Sequence, residues 1–150
     1  MKPPVNIEFF VRESNRIEGI HKINIEREIE AHERFLALDK IAIGDLGVLV
    51  EALQPGAGPR FTQGRDVRVG AYVPPKGGPH IMAMLQDILD RTNSKFLLAY
   101  EAHIEYEKLH PFMDGNGRSG RALWLWRMGG LEKAPLGFLH HFYYQTLQRS

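Results

Sequence analysis

Hydrophobic side chains recur with a helical period along most of the chain. In residues 24–38, apolar positions follow one another every three or four residues among charged ones, which is typical of an α-helix with one buried face. Comparable patterns predict further helices over residues 7–20, 41–53, 79–91, 96–110, 118–128 and 135–147. The tripeptide Thr92-Asn93-Ser94 is typical of a helix start. The helix after it should end near His110, because Pro111 follows.

The helical pattern breaks in residues 54–79, which are rich in proline and glycine. Within this stretch, residues 65–73 alternate apolar and polar side chains and include β-branched valines, so they predict a short strand or a small hairpin. An isolated hairpin is only marginally stable, and we expect it to lie on the helical body or to serve as a binding edge. The pattern as a whole predicts a mainly α-helical protein with one short β segment.

Composition narrows the functional classes. The 150 residues are 43% hydrophobic and 25% charged, as in an ordinary globular domain. Nineteen Lys and Arg against eighteen Asp and Glu leave a net charge of +1, which argues against direct nucleic-acid binding and against a membrane-surface protein. The absence of cysteine excludes disulfides, thiolate zinc sites and cysteine nucleophiles. Without a long apolar segment or a signal-like start, we expect a cytoplasmic protein.

The segment from His110 to Arg121 reads HPFMDGNGRSGR and concentrates chemically active side chains. Its Gly-Asn-Gly triplet, residues 115–117, contains the residue types that most readily adopt positive φ. Such a turn can direct successive N–H groups at an anion, and the helix start that follows favours negative charge as well. Arg118 and Arg121 are three positions apart on one helix face, where cations oppose the helix dipole. Two arginines beside an anion site indicate a multiply charged ligand, most plausibly a polyphosphate.

Two further side chains complete this pattern. The Asp114 carboxylate alone would repel a phosphate group, but a Mg²⁺ ion between the two would allow Asp114 to bind the phosphate. His110 supplies an imidazole that can act as a general base. Each residue alone also has a structural explanation, as a turn, a helix cap or a buried histidine. Their occurrence together within twelve residues favours a functional site.

The same twelve residues resemble the signature of Fic-domain proteins, His-x-Phe-x-(Asp/Glu)-Gly-Asn-Gly-Arg-x-x-Arg, at every specified position. The helical pattern and the segment before the motif are similar to the core and the flap of that family. The resemblance implies the Fic fold, a mainly α compact bundle of about six to eight helices with a short β-hairpin flap. It also implies a protein adenylyltransferase, which moves AMP from ATP to a Ser, Thr or Tyr hydroxyl of a target protein and releases pyrophosphate.

Roles for individual residues follow from the resemblance. His110 would deprotonate the attacking hydroxyl, and Asp114 would hold Mg²⁺ between the α- and β-phosphates of ATP. The residues implied for nucleotide binding are Gly115, Asn116, Gly117, Arg118 and Arg121, with the Asn116 side chain on phosphate oxygens, Arg118 on the β-phosphate and Arg121 on the γ-phosphate. The flap would pair its edge with the target backbone, through Arg65, Val67, Arg68, Val69 and Tyr72.

A second motif lies near the start of the chain. Ser14 and Glu18 are four positions apart and so share a helix face. A capping-box-like pair, Asn15 with Glu18, is the structural explanation. The stretch is also similar to the inhibitory-helix motif of the family, (Ser/Thr)-x-x-x-Glu-(Gly/Asn). The resemblance implies that Glu18 pairs with Arg121 and withholds it from the γ-phosphate. We therefore expect an inhibitory helix in residues 1–22 and a catalytic domain in residues 23–150.

Other functions stay open from the sequence. A related enzyme could remove AMP from its target, or transfer another nucleotide or phosphate-containing group. A non-enzymatic alternative is a nucleotide-binding regulatory module. Leu123, Trp124 and Trp126 are expected in the core, with a self-association surface and a homo-oligomer as the alternative. No spacing typical of a zinc site occurs in the chain.

Overall fold

The computed structural model describes residues 6–134. This part of the chain contains six α-helices and one short 3₁₀ turn: α1 (Ile7–Ile17), α2 (Glu26–Leu36), α3 (Ile43–Leu53), α4 (Pro79–Asn93), α5 (Ala99–Leu109), α6 (Asn116–Met128) and the turn Leu131–Lys133. The predicted mainly helical fold is confirmed. The helix expected over residues 135–147 lies outside the described residues. None of the helices in residues 6–134 is long and apolar enough to cross a membrane.

Helix α6 lies at the centre of the bundle, against α5 and in contact with α1, α2 and α3. A helix surrounded by neighbours is buried on all sides, and Ala122 through Leu125 are accordingly all buried. The expectation that Leu123 and Trp124 belong to the core is confirmed. Trp126 is only partly buried, and its indole N–H donates to the Leu38 carbonyl. The N-terminal turn of α6 thus stands on a rigid support.

The end of α5 agrees with the prediction from the sequence, but the start of α6 does not. Helix α5 ends at Leu109, as expected before Pro111. His110 follows as its cap, in a left-handed conformation with φ of 52°. Gly115 has φ of 78°, so the predicted positive-φ turn is present. Helix α6 begins at Asn116 rather than at Arg118, and this places Arg121 in its second turn.

The predicted helix start at Thr92-Asn93-Ser94 is wrong. Helix α4 continues through Asn93, and the Thr92 hydroxyl donates to the Ile88 carbonyl within it. Within a helix, a Ser or Thr hydroxyl can instead bond to the carbonyl four residues earlier. Helix α5 begins instead at Ala99, where the Glu101 carboxylate accepts from the Leu98 N–H.

The segment between α3 and α4 lies over the α5–α6 loop, and its residues 65–75 are called the flap. In this segment, and in the rest of residues 6–134, β pairing is limited to two isolated bridges, Pro59 with Phe112 and Val69 with Tyr72. The expected hairpin is therefore only a tight turn, closed by two reciprocal 2.9 Å hydrogen bonds between Val69 and Tyr72. Its arms do not pair further, because the prolines after Val73 have no N–H to donate.

Candidate active site

A cavity of about 650 Å³ opens between the start of α6, the end of α5 and the flap. It combines most of the residues singled out by the sequence with two buried polar residues of α5. The lining includes Glu18, Val67, Arg68, Val69, His103, Glu107, His110, Asp114, Gly115, Asn116, Gly117, Arg118 and Arg121. Ser14, Arg65 and Tyr72 do not line it, and each has a different place described below.

The His110 ring is held in one tautomer. Its Nδ1 lies 2.9 Å from the Glu107 carbonyl oxygen. A carbonyl oxygen can only accept, so in the neutral ring Nδ1 carries the proton and Nε2 the lone pair. An imidazole with a free Nε2 on the cavity wall is equipped to accept a proton from a bound hydroxyl.

The loop before α6 is fixed by side-chain hydrogen bonds. Both polar atoms of the Asn116 side chain are bonded to the Phe112 backbone, with Oδ1 accepting at 2.9 Å and Nδ2 donating at 2.8 Å. The Ser119 hydroxyl donates to the Gly115 carbonyl and accepts from Tyr106, each at 2.8 Å. Asn116 therefore shapes the loop, and the phosphate contact expected of its side chain stays a prediction.

Arg118 is buried, with 2% of its surface exposed. Its Nη1 donates to the Leu53 carbonyl and its Nη2 to the Gln54 side chain, each at 3.0 Å. Asn15 of α1 and the Glu28 carboxylate lie farther off, at 3.4 and 3.7 Å. Burial lowers the pKa of Arg118, and the Glu28 charge opposes that shift. Its buried Nε–H has no hydrogen-bond partner among the described residues.

Arg121 is equally buried, and its described partners belong to the N-terminal motif. Its Nε donates to the Ser14 hydroxyl at 2.9 Å, and its Nη2 to the Ser14 carbonyl at 2.8 Å. The same Nη2 donates to the Glu18 carboxylate at 3.0 Å. The two residues singled out four positions apart near the start of the chain thus converge on the last arginine of the α6 motif.

The Glu18 carboxylate also lies directly against the first turn of α6. A β-carbon built on Gly117 would collide with Glu18 Oε1 and would come within 3.2 Å of Arg121 Nη1. Only glycine therefore leaves room for the carboxylate at this position. The unpaired N–H groups and the dipole of a helix N-terminus favour an anion there, and in this structure Glu18 provides that anion.

Asp114 is the carboxylate available for a metal ion at the cavity. It is exposed, and its Oδ1 accepts from the Gly115 N–H at 2.7 Å. Residues 6–134 contain no group of three or more His, Asp or Glu side chains placed to enclose a metal. Magnesium usually binds through one or two carboxylates together with substrate phosphates and water, so a single aspartate beside the predicted phosphate site fits this ion.

The flap places unpaired backbone at the cavity edge. The main-chain N–H and C=O groups of Val67 and Arg68 make no hydrogen bond to any described residue. The Tyr72 hydroxyl donates to the Lys108 carbonyl at 2.7 Å, so Tyr72 ties the flap to the end of α5. Arg65 donates to the Pro59 carbonyl at 2.8 Å and likewise supports the flap. Of the residues predicted for docking, Val67 and Arg68 present free backbone.

Sequence analysis missed Arg60, whose side chain is completely buried. It donates to the carbonyl oxygens of Arg65, Pro75, Leu109 and His110. A single arginine in a loop rich in proline and glycine carries no periodic signal, because its partners are set by tertiary packing. The one indication in the sequence is that a charged residue lies between Pro59 and Phe61.

Comparison with known proteins identifies the family. The chain matches the Fic/DOC family over residues 29–127, which include the His110–Arg121 motif but not α1. It is 30% identical over 111 residues to Protein adenylyltransferase fic-1 of Caenorhabditis briggsae, a match that covers 69% of this chain and 18% of that protein. No solved structure matches the chain significantly. The extent of the family match and the intact motif show that the chain belongs to the Fic/DOC family.

Proposed function

We propose that this chain is a protein adenylyltransferase that moves AMP from ATP to a Ser, Thr or Tyr hydroxyl of a target protein. The observation that carries the proposal is the convergence, in one cavity, of a base with a fixed tautomer, two buried arginines at a helix start and a flap with free backbone. The printed name of the Caenorhabditis relative supports AMP transfer.

In the proposed reaction, His110 acts as the general base. Its Nε2 accepts the proton of the target hydroxyl, and the hydroxyl oxygen attacks the α-phosphorus of ATP in line with the leaving group. The bond between the α-phosphorus and the bridging oxygen breaks, and pyrophosphate leaves with that oxygen. The products are an adenylylated side chain, pyrophosphate and a protonated His110, which returns its proton to solvent. The hydrogen bond from Nδ1 to Glu107 keeps the ring oriented throughout.

The phosphates of ATP would lie at the start of α6. The N–H groups of residues 115–117 and the free Nε–H of Arg118 would bind phosphate oxygens, and Arg121 would bind the γ-phosphate once released from Glu18. Asp114 would hold Mg²⁺, which neutralises phosphate charge when bound. Positioning and charge stabilisation of this kind carry most of the catalysis in phosphoryl-type transfer.

The flap would dock the target by backbone pairing. The free main-chain groups of Val67 and Arg68 at the cavity edge can pair with an extended segment of the target, as in other β-augmentation complexes. Such pairing reads main chain rather than side chains. It would therefore accept any accessible extended loop that brings a hydroxyl to His110.

We also propose that α1 is an inhibitory element. The 3.0 Å ion pair between Glu18 and Arg121 occupies the guanidinium that the γ-phosphate needs, and the carboxylate repels that phosphate. ATP that binds without Arg121 would hold its α-phosphate out of line, and a small misplacement is costly in such reactions. This proposal divides the chain into an inhibitory segment, residues 1–22, and a catalytic domain, residues 23–150.

The proposed reaction is tested with the Glu18→Gly variant, Mg·ATP and a cell lysate, followed by mass spectrometry of modified peptides. Peptides with AMP esterified to Ser, Thr or Tyr support the proposal. Binding of Mg·ATP without any modified peptide supports the nucleotide-binding regulatory module instead. Loss of AMP from an adenylylated protein offered in the same assay supports the reverse reaction.

A further inference from the structure

We propose that Arg60 is a positioning residue that holds the flap at a fixed height over the His110 imidazole. This inference rests on the proposed function, in which the flap docks the target hydroxyl beside His110. Arg60 itself does not line the cavity, so it would act through the backbone that it holds.

The Arg60 guanidinium joins the two elements that must meet in the reaction. Its Nη2 donates to the Leu109 carbonyl at 2.8 Å, and its Nε donates to the His110 carbonyl at 2.5 Å. Its Nη1 donates to the carbonyls of Arg65 and Pro75 at 3.0 and 2.9 Å. One planar group thus bonds the end of α5, which carries the proposed base, and both ends of the flap.

The chemistry of the site explains why arginine is suited to it. The last carbonyls of an α-helix have no partner within the helix, and the helix dipole favours a cation there. Guanidinium offers five N–H donors in a rigid plane, whereas an ammonium offers three on a flexible stem. No described carboxylate lies within ion-pair distance of Arg60. Carbonyl oxygens from two elements are its described side-chain partners, so its geometry sets their spacing.

The Arg60 backbone strengthens the same connection. Its N–H donates to the Pro111 carbonyl, and its carbonyl accepts from the Gly78 N–H, each at 2.9 Å. The cavity-lining residues Val67 to Gly70 lie between the two flap positions held by Nη1. If these ends were released, the height and tilt of the flap edge over His110 would vary. A misplacement of about 1 Å can lower the rate of an oriented reaction by about 100-fold.

The test uses Arg60→Lys and Arg60→Met, both in the Glu18→Gly background. Three quantities are measured: the Kd of Mg·ATP by calorimetry, hydrogen exchange in residues 65–75, and transfer of label from α-³²P-ATP to lysate proteins. We expect faster exchange in the flap and at least about tenfold less label transfer, with the Kd of Mg·ATP unchanged within about twofold. Lysine should not rescue either property, because it cannot bond four carbonyls at once.

Arg127→Lys serves as the matched control. Arg127 also donates to loop carbonyls, those of Leu97 and Lys95, but it does not line the cavity. This control should leave all three quantities unchanged. Label transfer at the parental rate in both Arg60 variants would overturn the proposal, as would flap exchange at the parental rate. Loss of Mg·ATP binding together with faster exchange throughout the chain would also overturn it, because Arg60 would then be a general structural residue. If the Glu18→Gly parent transfers no label, the proposed function fails, while flap exchange still tests the anchoring by Arg60.

Discussion

The carboxylate of Glu18, the residue that caps the C-terminus of α1, lies 3.0 Å from the Arg121 guanidinium of α6, across 103 positions of the chain. The same carboxylate covers the first turn of α6 at Gly117. Glu18 therefore contacts both components of an anion-binding site, the Arg121 guanidinium and the N-terminal turn of α6. The contact connects the N-terminal motif to the proposed chemistry.

Replacing Glu18 with glycine should activate the enzyme. The substitution frees Arg121 for the γ-phosphate and removes a charge that repels it. One hydrogen bond to a charged group is worth about 1.5–3 kcal/mol, so we expect label transfer from α-³²P-ATP to rise about 10- to 100-fold.

The controls for this prediction are two glutamine variants. Glu18→Gln should activate in the same direction but less, because the amide still accepts a hydrogen bond. Glu13→Gln removes a carboxylate of the same helix that pairs at 3.1 Å with the exposed Arg16, and it should leave the rate unchanged. Equal rates in the wild-type chain and in Glu18→Gly would contradict the inhibitory role of α1.

Replacing Gly117 with alanine should reveal the contact between Glu18 and the first turn of α6 as a change in the free energy of unfolding. In the wild-type chain, the new methyl group collides with Glu18 and should lower the free energy of unfolding. In the Glu18→Gly background the obstacle is gone, and the higher helix propensity of alanine, up to about 1 kcal/mol over glycine, should dominate. Thermal unfolding of the four chains gives a coupling energy between the two sites. Additive effects of the two substitutions would show that the carboxylate does not rest on this turn in solution.

Removing the imidazole should separate chemistry from binding. We expect His110→Ala, in the Glu18→Gly background, to lower AMP transfer by about 100- to 10,000-fold, the usual contribution of a general base. The affinity for Mg·ATP, measured by calorimetry, should change little, because the phosphates bind elsewhere in the cavity. Transfer at the parental rate would exclude His110 as the base.

The buried His32 should make stability depend on pH. Burial lowers its pKa from 6.5 to about 4, and the charges of Arg118 and Arg121 act in the same direction. Its Nδ1 donates to the Glu28 carbonyl at 2.7 Å, which opposes this shift, but burial is the larger effect and favours the neutral ring in the folded chain. Between these pKa values the unfolded chain binds more protons. The contribution of His32 to the free energy of unfolding is therefore complete above pH 6.5 and is lost as the pH falls toward 4.

The expected loss is on the order of 3 kcal/mol across this interval, since one pKa unit corresponds to about 1.4 kcal/mol. Urea unfolding at several pH values in this interval measures it. His32→Gln should flatten the pH dependence, whereas His21→Gln, which changes an exposed side chain, should keep it. A slope that is the same in the wild-type chain and in His32→Gln would contradict the assignment.

The sequence was sufficient where local chemistry decides the structure. The end of α5 follows from Pro111, and the turn into α6 follows from residue types that accept positive φ, as Gly115 does at 78°. The contact of Glu18 with Arg121 followed only from the family resemblance, since nothing local relates residues so far apart. The hydrogen bonds of Arg121 to Ser14 were not predicted. In the flap, the alternating pattern predicted a strand or hairpin, but the structure has only the isolated bridge between Val69 and Tyr72, because Pro74 and Pro75 cannot extend the pairing.

Contacts created by packing could not be predicted in the same way. Arg118 donates to Leu53 and Gln54, more than sixty positions away. Arg60 donates to the Leu109 carbonyl at the end of α5. These partners are backbone carbonyls or a single amide, and their availability depends on where helices end in space. The two hydrogen bonds of the Asn116 side chain to the Phe112 backbone were not predicted either.

The most direct measurement is the fate of each phosphorus of ATP in the Glu18→Gly variant. Lysate proteins are incubated with Mg²⁺ and the variant, together with either α-³²P-ATP or γ-³²P-ATP, and the label on protein is counted. Transfer of AMP predicts label on protein from the α position alone, at least about tenfold above the wild-type chain, and its absence in Glu18→Gly/His110→Ala. Label on protein from the γ position alone, or equal α label with and without His110, would contradict the account.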